Sequence, residues 1–439
     1  MAPPLTASST VAHPLAVQPS NNTARWGLLA FGTVLCIGLF YTVAQLSSEL
    51  SSVKHSSAWP FILLGVALLI ALGFEFVNGF HDTANAVATV IYTHSLPPHV
   101  AVVWSGVWNF VGVMVASGAV AFGIVSLLPV ELILQVSAGA GFAMVFALLI
   151  AAIIWNLATW YIGLPSSSSH TLIGSIIGVG LMNQWMADTA EATSGVDWGQ
   201  AVNIVKSLLA SPLFGFSVAA FLLLLAMKAI PIASLYQPPK GKTPPPMWIR
   251  SILILTCTGV SFAHGSNDGQ KGMGLIMLIL IGTVPTVYAL NRAIDSNYTP
   301  AFVNSSQQAE RVLNGYAQGR PAPADARQEV GRYLRSRRLL PETIPAVRAV
   351  SVEVRDGIIS YGSVAQVPDE QTGNIRNDMY LISEALRRMD KQHDPPFAAG
   401  DYAILKDYRF NLDQATKFIP TWVKAAVALA LGLGTMIGW

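Results

Sequence analysis

Apolar residues occupy most of this chain in stretches long enough to cross a lipid bilayer. A spanning helix needs about 20 mostly apolar residues, and the segments 26–46, 138–162 and 204–227 have that length. Shorter or interrupted apolar segments cover 59–80, 84–92, 100–128, 172–182, 249–263, 273–290 and 419–439. The pattern predicts an all-α polytopic membrane protein.

Charged residues are concentrated in one part of the chain. They make up 11% of the whole, against about 25% in soluble proteins, yet 17 of the 26 Lys and Arg and 16 of the 24 Asp and Glu lie within 291–417. We therefore predict a disordered tail (1–23), a first transmembrane repeat (24–227), a cytoplasmic linker (228–248), the start of a second repeat (249–290), a polar extramembrane insert (291–417) and a last transmembrane helix (418–439).

The segment 228–250 sets the expected orientation. It contains Lys228, Lys240, Lys242 and Arg250 and no acidic residue, which places it in the cytoplasm by the distribution of basic residues in short loops. The insert is balanced in charge, so the same rule is silent there. If 249–290 crosses the membrane once, the insert is periplasmic, and if it crosses twice, the insert is cytoplasmic.

Polar residues interrupt the apolar segments at three places: 78–86, 163–171 and 264–272. Such residues are costly in a membrane and by default mark a functional site. The first and third segments align, with Gly79 on Gly265 and Asp82 on Asp268. This pattern predicts an inverted-repeat secondary transporter whose helices are broken near the membrane midplane.

A helix that restarts inside the membrane presents free N–H groups and the positive end of its dipole, which favour an oxyanion. Hydroxyl and amide side chains can add further hydrogen bonds. The candidate ligands of a phosphate-like anion are Thr83, Asn85, Ser167, Ser168, Ser169, Thr171, Asn267 and Gln270. The alternative is that the small and hydroxylated residues only pack or cap helices.

Acidic residues repel an anion, so Asp82 and Asp268 are predicted to hold a coupling cation or proton. Glu75 precedes Asp82 by two helical turns and is a candidate for the same role. Lys271 can pair with Asp268, help to neutralise the anion, or extend to an aqueous vestibule. The residues predicted to support or line the site are His81, His170, Gly79 and Gly265.

Three other functions compete with this prediction: a transporter of another oxyanion such as sulfate, a membrane phosphatase, and a channel. A phosphatase needs a nucleophile with an activating base. Ser169 and His170 are adjacent, and adjacent helical residues point about 100° apart, so the sequence predicts no enzyme. It also predicts no cofactor, no resident metal and no nucleic-acid partner.

These segments resemble the inorganic phosphate transporter family, whose signature reads Gly-Ala-Asn-Asp-x-Ala-Asn in two copies. Here the copies stand at 79–85 and 265–271, and the family's serine motif stands at 165–170. Bacterial low-affinity members are the most similar. The chain departs from the signature at His81 and at Lys271, which occupy Asn positions of the family.

The resemblance implies a symporter of inorganic phosphate in the cytoplasmic membrane, surrounded by lipid, often as a homodimer, and driven by protons or sodium. For bacterial low-affinity members it implies proton coupling and phosphate carried as a complex with a divalent metal. An ammonium at Lys271 disfavours a sodium ion nearby, which also predicts proton coupling. The second serine motif of the family is absent, so the resemblance further implies a C-terminally incomplete chain.

Overall fold

The computed structural model describes residues 21–51, 59–125, 127–128, 139–164, 166–186, 196–239, 241, 243–295, 297–392 and 396–438. Within these ranges the secondary structure consists of α-helices and two short 3₁₀ turns, and no strand occurs. The all-helical fold class is therefore confirmed. The predicted tail lies outside the described residues up to position 20, and the first helix begins at Asn21.

The membrane part contains eight helices in the described residues up to Thr283. They are α1 (Asn21–Leu50), α2 (Trp59–Tyr92), α3 (Pro98–Val115), α4 (Ala119–Val125), α5 (Gly139–Tyr161), α6 (Ser168–Met186), α7 (Trp198–Ala229) and α8 (Met247–Thr283). Of these, α1, α2, α3, α5, α7 and α8 are long and apolar enough to span a bilayer. The protein is a multi-pass membrane protein.

The insert is a helical bundle with its own apolar core. After the short α9 (Pro285–Tyr288) come α10 (Tyr298–Ala317), α11 (Ala326–Ser336), α12 (Thr343–Tyr361), α13 (Asp369–Asp390) and α14 (Ala399–Thr416). Phe302, Tyr333 and Tyr408 are among its fully buried side chains. The chain then bends by 75° into α15 (Thr421–Ile437), which returns to the membrane part.

Two sets of contacts show which helix ends lie on the same side of the membrane part. Arg250 Nε at the start of α8 donates to the carbonyl of Ser95 at 2.7 Å, which places the 93–97 turn beside the basic linker. Glu49 at the end of α1 accepts from Tyr288 and from Trp422 Nε1, both next to the insert. Because α8 is one unbroken helix, the basic linker and the insert lie at its opposite ends.

The predicted helix breaks at the first and third polar segments are wrong. Helix α2 continues through 78–86 and α8 continues through 264–272. Neither segment contains proline, and polar side chains bond back to their own helix: Thr83 donates to the carbonyl of Gly79 and Gln270 to that of Ser266. The helical ladder therefore persists.

The second polar segment does break a helix, as predicted. Helix α5 ends at Tyr161 and α6 begins at Ser168. Gly163 takes a φ of +72° between them, a conformation that costs glycine little. Pro165 lies outside the described residues. The two helices pack on one another as a hairpin. Near its tip, the ring of Trp160 contacts the ring of Phe80 on α2, with 4.8 Å between the ring centroids.

Helices α2 and α8 contain the two signature segments, 79–85 and 265–271, and we call them the signature helices. Each is paired with a helix from the other half of the chain. Helix α15 packs on α2, and α3 packs on α8. A Cβ added to Gly79 would lie 2.1 Å from the Leu431 carbonyl oxygen, and one added to Gly265 would lie 2.1 Å from that of Asn109. The aligned glycines thus permit the same close backbone contact in both halves.

Candidate functional site

Three helices bring two aspartates and one serine together in the membrane part. Ser168 Oγ of α6 lies 3.3 Å from Asp82 Oδ2 of α2 and 3.3 Å from Asp268 Oδ2 of α8. A hydroxyl carries one proton and can donate to only one carboxylate at a time. Ser168 is also the first residue of α6, so the free N–H groups of that helix begin beside the aspartates.

Lys271 supplies a positive charge to this cluster. Its Nζ lies 2.5 Å from Asp268 Oδ2 and 3.4 Å from Ser168 Oγ, and the residue is 3% exposed. Lys271 therefore pairs with Asp268, as their spacing of three residues predicted. Lys271 does not extend to an aqueous vestibule in this structure.

His264 belongs to the same cluster, although the sequence predicted no role for it. Its Nδ1 is 2.6 Å from Asn109 Oδ1, while its Nε2 is 3.5 Å from Asp82 Oδ2 and 3.6 Å from Asp268 Oδ2. The amide nitrogen of Asn109 donates to the Ser105 carbonyl, so its oxygen must accept, and Nδ1 carries the proton. The signal in the sequence was the spacing of four residues between His264 and Asp268, which puts both on one face of a helix.

Asp82, His264 and Asp268 together can hold a cation. Asp82, His264 and Asp268 each offer one ligand atom, and these atoms lie within 4.8 Å of one another. Carboxylate and imidazole are ligands of several divalent metals. The sequence predicted no resident metal, and the spacing of these atoms is the one feature of the described site that would suit a metal ion. His81 Nδ1 contacts the other oxygen of Asp82, Oδ1, at 3.3 Å.

Asn78 lies one turn and Glu75 two turns before Asp82 on α2, and both are fully buried. Among the described residues, neither carboxylate oxygen of Glu75 and neither side-chain polar atom of Asn78 has a hydrogen-bond partner. A Cβ added to Gly272 would lie 2.3 Å from Glu75 Cγ, so Glu75 packs against α8 one residue after Lys271. Buried polar groups are almost always satisfied, so these four atoms could receive a proton, water or ion.

Two of the predicted phosphate ligands have other hydrogen-bond partners. Thr83 donates to the carbonyls of Gly79 and Thr435 and so joins α2 to α15. Gln270 accepts from the backbone N–H of Val120 and joins α8 to α4. Their side chains serve helix packing in this structure.

The remaining predicted site residues surround the serine motif or face outward. Thr171 donates to the Ser167 carbonyl, and the Ser167 hydroxyl accepts weakly from the His170 N–H. The exposed members are Asn85, Ser167, His170 and Asn267, and Ser169 is half-buried. Ser168 is therefore the member of that motif that contacts the charged cluster.

Comparison with known proteins assigns the family. The model of the phosphate transporter family matches residues 78–439. The low-affinity inorganic phosphate transporter PitA of Escherichia coli (strain K12) is 39% identical over 399 residues, which cover 86% of this chain and 78% of the relative. A low-affinity inorganic phosphate transporter of Buchnera aphidicola subsp. Acyrthosiphon pisum is 36% identical over 89% of this chain and 79% of its own.

A solved structure described as the sodium-dependent phosphate transporter also matches. It is 16% identical, with a TM-score of 0.30, and the match covers 85% of this chain and 88% of that one. The family model and the relatives decide the assignment: this chain belongs to the phosphate transporter family.

Proposed function

We propose that this protein is a proton-coupled symporter of inorganic phosphate in the cytoplasmic membrane. The observation that carries the proposal is Ser168, which opens α6 between Asp82 and Asp268 inside the membrane part. A helix N-terminus favours a phosphoryl anion, and the two carboxylates define where a compensating positive charge must sit. The names of the relatives in Escherichia coli and Buchnera support phosphate as the cargo.

The carboxylates favour phosphate over sulfate. Monohydrogen phosphate carries a proton that it can donate to a carboxylate, and sulfate at neutral pH carries none. Asp82 Oδ2 and Asp268 Oδ2 both point at the Ser168 hydroxyl, so an anion bound at the start of α6 meets an acceptor. A site of this kind binds more tightly an anion that can itself donate a hydrogen bond.

The charge balance of the cluster favours a co-transported proton. Asp82 and Asp268 carry two negative charges, and Lys271 supplies one positive charge. The remaining negative charge opposes a bound phosphate unless a proton enters. Two groups can take it: the carboxylate of Glu75, which has no hydrogen-bond partner among the described residues, and His264 Nε2, which lies 3.5 and 3.6 Å from the two aspartates.

Lys271 argues against a sodium ion at the same place. Its ammonium contacts Asp268 and Ser168, where a coupling cation would otherwise sit. Two unit positive charges 4 Å apart repel by about 4 kcal/mol at an effective dielectric constant of 20. Proton coupling avoids that repulsion.

A second possibility for the cargo is a complex of phosphate with a divalent metal. The ligand atoms of Asp82, His264 and Asp268 are close enough to share one ion, and the negative charge of the phosphate bound to that ion would offset its repulsion by Lys271. If this holds, uptake of phosphate and of a radioactive divalent metal should rise and fall together when either is withdrawn.

The cross-paired helices support transport by alternating access of two inverted repeats. Each signature helix contacts a helix of the other half through the same glycine position, which gives the two halves equivalent moving contacts around one site. With the basic linker in the cytoplasm, a single crossing by α8 puts the insert in the periplasm.

The decisive experiment is phosphate uptake into proteoliposomes that contain the full chain. An imposed pH gradient without sodium should drive accumulation of labelled phosphate, and an excess of sulfate should not compete. Glu75→Gln should keep phosphate exchange at equal pH but lose accumulation driven by the gradient. The matched control is Glu342→Gln, at an exposed position in the insert. An absolute requirement for sodium with no response to the pH gradient would refute the proposal.

A further inference from the structure

A cavity with both charged and apolar walls lies outside the central cluster, at the junction between the insert and the membrane part. It has a volume of about 490 Å³ and lies between α4 and α8 on one side and α13 and α14 on the other. A neighbouring cavity of about 310 Å³ shares Gln200, Arg387 and Lys391 with it. We call the two together the junction cavity.

The charged side chains that line the junction cavity carry an excess of positive charge. Six are basic and three are acidic, which leaves a net charge of +3. The basic residues are Arg337, Arg376, Arg387, Arg388, Lys391 and Lys417, and the acidic residues are Asp197, Glu384 and Asp413. Basic residues gathered in a concave site raise the local concentration of anions.

Four of these cations, Arg337, Arg387, Arg388 and Lys417, have acidic partners, and Lys391 has none among the described residues. Arg387 and Arg388 pair with Glu384, and Lys417 pairs with Asp413 at 2.8 Å. Lys391 Nζ donates only to the neutral amide oxygen of Gln200, at 3.3 Å. Burial and the nearby Arg387 guanidinium lower the pKa of Lys391 below its usual value. The carboxylates of Asp197 and Glu384 oppose this lowering but do not cancel it.

The opposite side of the junction cavity is apolar and continuous with the membrane helices. Phe122 of α4 and Met277 and Ile281 of α8 line it. It also reaches Gly274, three residues after Lys271 on α8. A ligand here would meet cationic and amide donors on one side and hydrocarbon on the other.

We propose that the junction cavity binds a phosphoryl anion, either inorganic phosphate or the headgroup of an anionic phospholipid, with Lys391 as its principal ligand. Both sources present the same chemistry: negatively charged oxygens that accept hydrogen bonds from ammonium and guanidinium groups. The anion would offset the excess positive charge and give Lys391 a charged partner. This site is separate from the central cluster and does not depend on the coupling ion.

The test is protection of Lys391 from an amine-acylating reagent in the purified full chain. Its lowered pKa leaves more of the reactive neutral amine, and a bound anion would both shield it and hold it protonated. Lys406 on α14 is the internal control, since it is exposed and lines neither cavity. Peptide mass spectrometry gives the labelling of both lysines in the same sample.

Four conditions identify the source of the anion. The protein is labelled in phosphatidylcholine nanodiscs with phosphate or with chloride at equal ionic strength, and in nanodiscs with or without phosphatidylglycerol. We expect labelling of Lys391 to fall about tenfold in at least one pair while Lys406 is unchanged. Protection by phosphate identifies the free ion, and protection by phosphatidylglycerol alone identifies the headgroup. Equal behaviour of Lys391 and Lys406 in every condition would overturn the proposal.

A charge variant locates the anion without using transport. Lys417→Gln lowers the positive charge of the cavity, so the anion concentration that half-protects Lys391 should rise severalfold. Arg338→Gln, at an exposed position outside both cavities, should leave it unchanged. An unchanged midpoint in Lys417→Gln would place the protecting anion elsewhere and contradict the proposal.

Discussion

The cluster around Asp82 and Asp268 and the cluster around Asp197 contain similar side chains, but they use their hydrogen-bonding atoms to different extents. Asp197 precedes α7 and accepts from the backbone N–H of Gln200, from Arg337 at 2.8 Å and from Arg387 at 3.2 Å. Glu384 beside it accepts from Arg387 and Arg388. Both of these carboxylates have partners on both oxygens.

The membrane cluster leaves atoms unused. His264 Nε2, the carboxylate of Glu75 and the amide of Asn78 have no hydrogen-bond partner among the described residues, although all are buried. A fully satisfied network holds one arrangement, whereas a partly satisfied one is costly unless something else completes it. The Asp197 cluster therefore links the insert to the membrane part in one arrangement, and we propose that the Asp82 cluster is completed by a ligand.

The strongest test of this difference is to remove one charge from the membrane cluster. Asp268→Asn leaves the ammonium of Lys271 buried without its 2.5 Å partner, and breaking a buried pair costs about 3 to 5 kcal/mol. Phosphate uptake should fall by at least about a hundredfold, and Asp82→Asn should have a similar effect. Uptake is measured in cells that lack other phosphate transporters, with membrane insertion checked by immunoblot.

The control for these variants is Asp369→Asn, because Asp369 forms an exposed pair with Arg292 in the insert. It should transport normally. Near-normal uptake by both membrane variants would remove the distinction between the two clusters.

The next largest effect is expected at the glycines that let the signature helices approach their partners. A Cβ in Gly79→Ala or Gly265→Ala would lie 2.1 Å from a backbone carbonyl oxygen, and such overpacking costs about 1 to 3 kcal/mol or more. The thermal midpoint of the purified protein should drop in both variants.

Gly73→Ala and Gly259→Ala are controls on the same two helices, since a Cβ at either position meets nothing within 4 Å. They should be neutral or slightly stabilising, because alanine favours a helix over glycine by about 1 kcal/mol. Equal destabilisation at all four positions would mean that the close contacts are not what limits stability.

A smaller effect is expected from the hydroxyl that joins the three helices. Ser168→Ala removes a donor to a charged partner, which is worth about 1.5 to 3 kcal/mol, or roughly ten- to a hundredfold in phosphate affinity. Ser167→Ala, at an exposed neighbour, should change affinity little. Half-saturation constants for uptake distinguish the two, and equal constants would reduce Ser168 to a packing residue.

The smallest effect is expected at the satisfied cluster. Burial raises the pKa of Asp197, but the Gln200 N–H and the guanidinium groups of Arg388, Arg337 and Arg387 outweigh it and lower the pKa below its usual value. The stabilisation is therefore complete above the ordinary pKa of aspartate, about 3.9, and is lost as the pH falls through the lower folded value.

Asp197→Asn should accordingly lower the free energy of unfolding by about 1 to 2 kcal/mol at pH 7 and leave transport intact. The difference from the parent protein should shrink as the solution is acidified toward the folded pKa. Limited proteolysis of the insert as a function of pH measures this. A pH-independent difference would show that the charge of Asp197 is not what stabilises the junction.

The sequence predicted the apolar spanning helices, because long apolar segments are a strong local signal. It also singled out the charged residues inside them, because such residues are rare in a membrane. Alignment of the two segments singled out Asp82, Asp268 and Lys271, and the structure brings these side chains together around Ser168. The helix breaks at 78–86 and 264–272 were wrong because polarity and glycine content resemble a break, while the hydrogen bonds of Thr83 and Gln270 to their own helices cannot be read from composition.

Contacts between distant segments account for what the sequence could not show. The role of His264 depends on Asn109, which lies 155 positions away and fixes the imidazole tautomer. The junction cavity depends on α13 and α14 meeting α4 and α8. Neither arrangement follows from periodicity, since it arises only when separate helices pack together.

The pairing of α2 with α15 also bears on how this chain is made. The hydroxyl of Thr83 donates a hydrogen bond to the backbone carbonyl of Thr435, 352 positions later, and a ribosome adds about 5 to 20 residues each second. The first signature helix must therefore wait on the order of half a minute in the bilayer, with its glycine face uncovered, before its partner is synthesised. Quality-control proteases and insertion chaperones would meet the nascent protein during that interval.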